Sequence, residues 1–430
     1  MFKYNSSHVK QKTISDFDIK FNPNSSAHKV LLLIDTFGYD VLETTATGNP
    51  SVGKDVVAEY LTTETDELKQ EVLEALLSIA DANKVKTAFI DGLKKLAVKD
   101  SKGVYRVHTD YKLHGTMSGR LSAANPNLQQ IPSGSTYGKL VKGLFTPPSK
   151  DFIFVSSDFN ALEDRVGAEE TRDEAKVKVM TGGYDSHALN TASYFAAELK
   201  ERGLPYGKDI TVEESMIIKE KAPDLRQDSK AVTFGLAYGG TAHTVMNSLG
   251  CSEEKAQEIV DSYHALYSGV QKYYDKYVAK ALANDCRMVT PHGLIIRAPE
   301  LLAEEKHVAE KAERSVCNAL IQGLSGQLMV KAINRIQARI EEEGLDDDIQ
   351  LVTTIHDAVY AYVRRDNEII KRANEIIISE MVKDYKEDQM VKNLANLDIG
   401  EHWADQNEIP NNATVEIINN VLYNKEEKVA

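Results

Sequence analysis

Apolar positions along the chain fall into two spacings, and the switching between them lays out the elements. From His28 to about Leu96 the spacing is helical: KVLLLIDTFG, then DVVAEYL after a Gly-Asn-Pro turn, then the long run DELKQEVLEALLSIADANKVKTAFIDGLKKLA. DFIFVSSDF (Asp151 to Phe159) reads as a buried strand running into Asp158, and ALEDRVGAEE continues it as a helix. Residues 243–285 and 300–343 return to helical spacing. QLVTTIHDAVYAYV (Gln350 to Val363) is two β-rich runs on either side of His356 and Asp357, which predicts a tight hairpin with Asp357 at its tip. Residues 366–394 are expected to form another helix. Residues 1–25 form a polar lead-in, and the tail from Asn411 to Ala430 carries no interpretable motif. TMSGRLSAANPNLQQIP (Thr116 to Pro132) is neither helix-periodic nor alternating, and its Gly, Asn and Pro mark an irregular but patterned segment.

Within RQDSKAVTFGLAYGG (Arg226 to Gly240), residues Arg226, Lys230, Phe234 and Tyr238 stand four apart, so a helix would carry two cations and two aromatics on one face. That row is roughly 18 Å long, about the reach from the phosphates of a nucleoside triphosphate to its base. The same pattern also suits an ordinary helix with snorkelling cations and a buried aromatic pair. Arg314, Asn318 and Gln322 repeat the four-residue spacing on an otherwise apolar helix, where amides need partners: either an internal hydrogen-bond network or base edges in a minor groove. Asp158 and Asp357 are each compatible with a simple turn role. Together, two strand-borne carboxylates far apart in sequence are what a two-metal phosphoryl-transfer site requires.

Composition narrows the class without deciding it. The 430 residues are 42% hydrophobic and 27% charged, enough for a large core in two or three domains. No apolar run, Val30 to Ile34 included, comes near the roughly 20 residues of a membrane span. MFKYNSSHVK lacks the apolar core of a secretory signal, so the chain is expected to stay in the cytoplasm, a host's if the chain is viral. Three cysteines, Cys251, Cys286 and Cys317, argue against a disulfide framework or a zinc site. A net charge of −14 opposes a nucleic-acid partner at first sight. From Lys84 to Arg120, however, nine Lys or Arg stand against three Asp, a phosphate-tracking strip, while EEEGLDDD (Glu341 to Asp348) reads as a solvated loop.

Four of these segments, in order, resemble family A DNA polymerases, a class that includes bacterial and phage enzymes. SDFNALEDR and IHDAV are similar to that family's two catalytic motifs, RQDSKAVTFGLAYGG to its fingers helix, and TMSGRLSAANPNLQQIP to its primer–template grip. The likeness runs from about residue 21 to 408. It implies an α+β right-hand polymerase with an antiparallel palm sheet: partial helical thumb (1–112), palm (113–166 and 306–430) and helical fingers (167–305). It implies further that Asp158, Asp357 and the Phe159 carbonyl hold two Mg²⁺, and that Arg226, Lys230 and His187 contact the triphosphate, with Lys230 also protonating pyrophosphate. Phe234 and Tyr238 would pack on the incoming nucleotide, and Glu163 would wall off the sugar 2′ position. Arg120, Asn318, Gln322 and His356, with Arg314 beside them, would lie along the DNA.

Three departures from the family pattern accompany the likeness. Ala358 stands where a Glu usually follows His-Asp, Ser133, Gly134 and Ser135 replace a basic contact after Ile-Pro, and LKERGLPYGKDITVEESMI lengthens the fingers. The family's 3′–5′ exonuclease and first thumb helices have no counterpart here. The expectation is therefore either a truncated polymerase portion or, preferred, half of a split enzyme whose exonuclease is a separate polypeptide. Primer–template DNA and dNTPs are the expected partners, with no membrane. The rival expectations are an RNA-templated or RNA-making relative and an inactive DNA-binding subunit.

Overall fold

The computed structural model describes residues 21–45, 47–113, 115–132, 136–237, 240–290 and 293–423, which divide into two compact units. The smaller comprises residues 21–100, 105–107 and 136–141. Its helices α1 (Ser26–Val30), α2 (Lys54–Thr63), α3 (Glu67–Lys84) and α4 (Gly92–Leu96) follow the predicted periodicity, with wider π turns at Leu31–Thr36 and Val85–Asp91. Asp66 caps α3 by accepting from the Lys69 amide at 3.0 Å, the arrangement that satisfies an orphan N-terminal donor. Leu33, Val56, Val57, Tyr60, Leu73 and Leu76 form its core, and β1 (Val98–Lys99) pairs with β2 (Tyr105–Arg106) at its end.

The larger unit is built on one five-stranded sheet. After β3 (Asp110–Lys112), β4 (Ser122–Ala124) and α5 (Thr136–Lys142), which spans the division, comes the central strand β5 (Phe152–Phe159). Helices α6 (Leu162–Thr171), α7 (Glu174–Gly182), α8 (Ser186–Tyr194), α9 (Ala196–Glu201), α10 (Val212–Lys221), α11 (Pro223–Ala237), α12 (Ala242–Leu249), α13 (Glu253–Leu266) and α14 (Ser268–Ala283) follow, then the small hairpin β6 (Arg287–Val289) and β7 (Ile295–Arg297). The long α15 (Lys306–Glu342) leads into β8 (Ile349–Ile355), β9 (Ala358–Arg364), α16 (Asn367–Met381), β10 (Ala395–His402), β11 (Asp405–Ile409) and α17 (Val415–Tyr423). The sheet order is β11-β10-β5-β9-β8, antiparallel throughout.

Strand periodicity decides what each face carries. Ile153, Val155 and Phe159 of β5, Val359, Ala361 and Val363 of β9, and Leu397 and Ile399 of β10 turn to the face covered by α15, α16 and α17, and form the largest core. Phe154, Ser156 and Asp158 turn to the other face. There Phe154 and Tyr360 pack against Trp403, with ring centroids 6.2 and 4.9 Å from it, while Asp158, at the opposite end of the strand, is set partly into the sheet with part of its surface open to solvent.

Two expectations change. The helix foreseen for 366–394 stops at Met381. Residues 382–394 are instead held by polar contacts to α6, where the wholly buried Glu169 accepts from the Met390 and Val391 amides at 3.0 and 2.9 Å. Its other oxygen lies 2.7 Å from Arg172 Nη2 and 2.8 Å from Lys386 Nζ. The tail does contain an element: α17 buries Ile418 and Leu422 in the main core. Among the described residues, no helix is long and apolar enough to cross a membrane.

Removing this buried carboxylate leaves the Met390 and Val391 amides without their acceptor and takes one ion-pair partner each from Arg172 and Lys386. Glu169→Ala should therefore destabilise the fold by about 3 kcal/mol, read as a drop in the midpoint of denaturant unfolding.

Candidate active site

The pairing of β5 with β9 brings the two predicted aspartates together. Asp158 stands opposite Ala358, one residue beyond Asp357, and the Phe159 amide donates to the Asp357 carbonyl at 3.2 Å. The hairpin turns at His356, whose φ of +55° lies in the left-handed region. Its Nε2 reaches the Gln129 carbonyl at 3.2 Å. Partial burial first, and the charge of Asp357 second, push the Asp158 carboxyl up to about 6. A carboxylate held in its ionised form at such a cost is a fitting ligand for a divalent cation. Among the described residues no three His, Cys, Asp or Glu side chains group tightly enough to form a metal cage. Two carboxylates could hold an oxygen-ligated divalent cation, rather than close a structural metal site.

Segment 116–132 lies along α15, and glycines on the helix explain how. A Cβ at Gly323 would come within 2.7 Å of the Ser118 carbonyl, and one at Gly326 within 3.3 Å of Arg120 Cγ. The close approach therefore depends on the helix as much as on the small residues flanking Arg120. So seated, Arg120 forms an ion pair with Glu163 in the first turn of α6. Arg120, Glu163, His356 and Asp357 line one small cleft with Gln129, Gly326 and Thr354.

Helix α11 is amphipathic as its spacing predicts. Leu225, Ser229, Val232 and Leu236 are buried, while Lys230 and Phe234 are exposed. Phe234 is 69% exposed, which removes the alternative of a buried aromatic pair at that position, and Tyr238 lies outside the described residues. Arg226 is engaged: its Nε and Nη2 donate to the two oxygens of Asp185, each at 2.9 Å. Burial works to raise the Asp185 carboxyl, but the Arg226 hydrogen bonds and the capped Ala188 amide hold it below the usual range. His187, two residues on, is pushed down by burial and then by the Arg226 charge, and its buried Nδ1 has no hydrogen-bond partner among the described residues. Arg226 and Lys230 on one side and Asp185 and Asp164 on the other act on that ring.

The third row divides. Arg314 and Asn318 line a cavity of about 920 Å³ with Tyr263, Tyr274 and the end of α11, whereas Gln322 borders neither this cavity nor the aspartate cleft. Two residues not singled out in the sequence join the sites. Asp185 is one. Asp398 is the other: it lies opposite Ser156 on β10, on the Asp158 face, and is itself raised by burial and by Glu408. The alternation of ANLDIGEH could have placed Asp398 on that face, whereas nothing local marks Asp185 as a partner for Arg226.

The sequence profile of DNA polymerase family A matches residues 2–405. The chain belongs to that family. Its similar relatives include the DNA polymerase I of Pseudomonas aeruginosa, 28% identical over 81% of this chain and 35% of the relative. That of Bacillus subtilis is 27% identical over 82% and 36%, and that of Chloroflexus aurantiacus 28% over 89% and 37%. The chain thus spans little more than a third of the length of these curated relatives. Among solved structures, the polymerase domain of Pol1 from M. smegmatis, in complex with DNA primer–template and dNTP, superposes with a TM-score of 0.73 at 24% identity, over 89% of this chain and 61% of that one. The right-hand polymerase fold expected from the family A motifs is the fold observed.

Linkage gives Asp158 of this family A chain a signature. A carboxyl whose folded pKa is raised costs stability when ionised, a cost present above about 6 and lost as pH falls toward 4. Asp158→Asn should accordingly raise the melting temperature of the metal-free protein at pH 8 and make little difference at pH 4. Mg²⁺ should stabilise the parent at pH 8 and not the variant, as read by thermal melts with and without the ion.

Proposed function

We propose that the chain is a DNA-directed DNA polymerase that adds dNMP to a primer 3′ end and releases pyrophosphate. The observation that carries this reading is the register that sets Asp158 against the Asp357 hairpin, in a chain whose motifs follow the family A order. Asp158 and Asp357, with the Phe159 carbonyl as a further ligand, would hold two Mg²⁺. When bound, the metals lower the pKa of the primer hydroxyl and offset charge on the α-phosphate and pyrophosphate.

The remaining roles belong to the chain's own groups. Arg226, Lys230 and His187, whose Nδ1 has no hydrogen-bond partner among the described residues, receive the triphosphate, and Lys230 gives a proton to the leaving pyrophosphate. Exposed Phe234 offers a face on which any base can pack, and Tyr238 is a second aromatic contact for the nucleotide. Glu163, held by Arg120, blocks a ribose 2′-hydroxyl. Arg120, His356, Asn318 and Gln322 probe the minor groove, which reports pair shape rather than sequence, and Arg314 contacts DNA nearby. In this reading residues 1–112 are a partial thumb, 113–166 and 306–430 the palm, and 167–305 the fingers.

Primer extension with Mg²⁺ tests the proposal. Asp357→Asn should lower the rate about a thousandfold, the loss of about 4 kcal/mol of transition-state stabilisation. A protein that binds primer–template without extending it would support an inactive DNA-binding subunit instead.

Two substitutions test the sugar pocket separately. Glu163→Ala should reduce dNTP over rNTP selectivity at least about tenfold. Phe234→Tyr should increase chain termination by dideoxynucleotides, because a phenol hydroxyl can replace the missing 3′-hydroxyl. Competition assays on one primer read both.

A further inference from the structure

Arg226 stands on a helix whose outward face is fixed by a buried polar seam. Along the α8–α11 contact, Ser229 Oγ donates to the His187 carbonyl at 3.0 Å and Thr191 Oγ1 lies 3.0 Å from Ser229 Oγ. One turn on, Asn190 Nδ2 donates to Thr233 Oγ1 at 2.9 Å. At the head of this seam is Asp185, whose side chain is only 10% exposed. It does three things at once: it caps α8 through the Ala188 amide at 2.9 Å, takes Arg226 Nε and Nη2 on its two oxygens, and stands 3.6 Å from Lys219 of α10.

A two-pronged carboxylate contact fixes the plane of a guanidinium as well as its position. It uses two of the three guanidinium nitrogens, and Arg226 Nη1 has no partner among the described residues. A free arginine side chain loses much rotamer freedom on binding a phosphate, and one already locked in place loses little. Asp185 is shielded, anchored to a helix terminus and flanked by a second cation, so it is a fixture of the scaffold rather than a mobile competitor for Arg226.

We propose that Asp185 is a positioning residue for the incoming nucleotide: it pre-orients Arg226 so that Nη1 is presented to the triphosphate, acting through Arg226 and not by touching substrate. The inference rests on the reading of Arg226 as a triphosphate contact. It adds a carboxylate, of the wrong sign to bind phosphate itself, to the determinants of nucleotide affinity.

Single-turnover incorporation of one nucleotide by the full chain with Mg²⁺, measured against dNTP concentration, tests it. Asn retains the N-cap function, so Asp185→Asn should fold with α8 intact while losing the fixed fork. The apparent Kd for dNTP should rise about tenfold, with the maximal rate and the primer–template affinity within about twofold of the parent. In an Arg226→Ala background, Asp185→Asn should add less than about twofold. Arg226→Lys keeps the charge but not the fork and should show the same loss of dNTP affinity, which serves if Asp185→Asn does not fold.

Three results overturn the inference: an unchanged or lower apparent Kd in Asp185→Asn, losses that multiply when the two sites are combined, or an unchanged Kd in Arg226→Lys. An Arg226→Ala variant with parental dNTP affinity removes the triphosphate reading itself, and this inference with it. Arg226→Ala weakened and Asp185→Asn unaffected removes the inference alone.

Discussion

The antiparallel pairing of β5 with β9 is the constraint on which the site depends. Seven consecutive residue pairs run from Phe152 against Arg364 to Asp158 against Ala358, and the alternation of side chains allows one polar face only if the other is buried. The core beneath, with α15, α16 and α17 packed on Ile153, Val155 and Phe159, holds that register. A slip by one residue would send Asp158 into the core and Phe159 into the cleft. The energy that places the aspartates is hydrophobic burial on the far side of the sheet, and the charged groups themselves oppose it, as the raised Asp158 shows.

The second half of the site is oriented by polar contacts. Helix α11 has a buried stripe of Leu225, Val232 and Leu236, which a helix satisfies over a range of rotations about its axis. Ser229 and Thr233, tied to His187, Thr191 and Asn190 of α8, remove that latitude. Hydrophobic burial supplies most of the adhesion, and a few hydroxyl and amide contacts set the angle at which Arg226, Lys230 and Phe234 face outward.

Much of this was legible in the chain because it is periodic. The strand ending in Asp158, the His356-Asp357 hairpin and the face of α11 follow from spacings of two and four residues. What escaped depends on contacts distant in sequence. Asp185 reads locally as a helix cap, and its pairing with Arg226, 41 residues away, leaves no local trace. The ion pair of Arg120 with Glu163 is of the same kind. Residues 382–394 misled because helical propensity runs past Met381, while the buried Glu169 offers their amides a better partner. Helix α17 was missed because its signal, Ile418 and Leu422 four apart in a short polar tail, is weak.

The glycines of α15 carry one more consequence. The helix has the sheet core on one stripe and the Ser118–Arg120 backbone on another, and both contacts are set by which residue occupies each 100° step around its axis. A single inserted or deleted residue ahead of Gly323 would bring a glutamine, leucine or serine under the loop and turn the core stripe away from the sheet. Insertions or deletions in this helix should therefore be tolerated only at its ends, near Glu305 where it begins and Gly344, at a φ of +68°, just past where it stops. The middle of α15 is in effect a ruler whose markings cannot be shifted without unseating the loop and the sheet together.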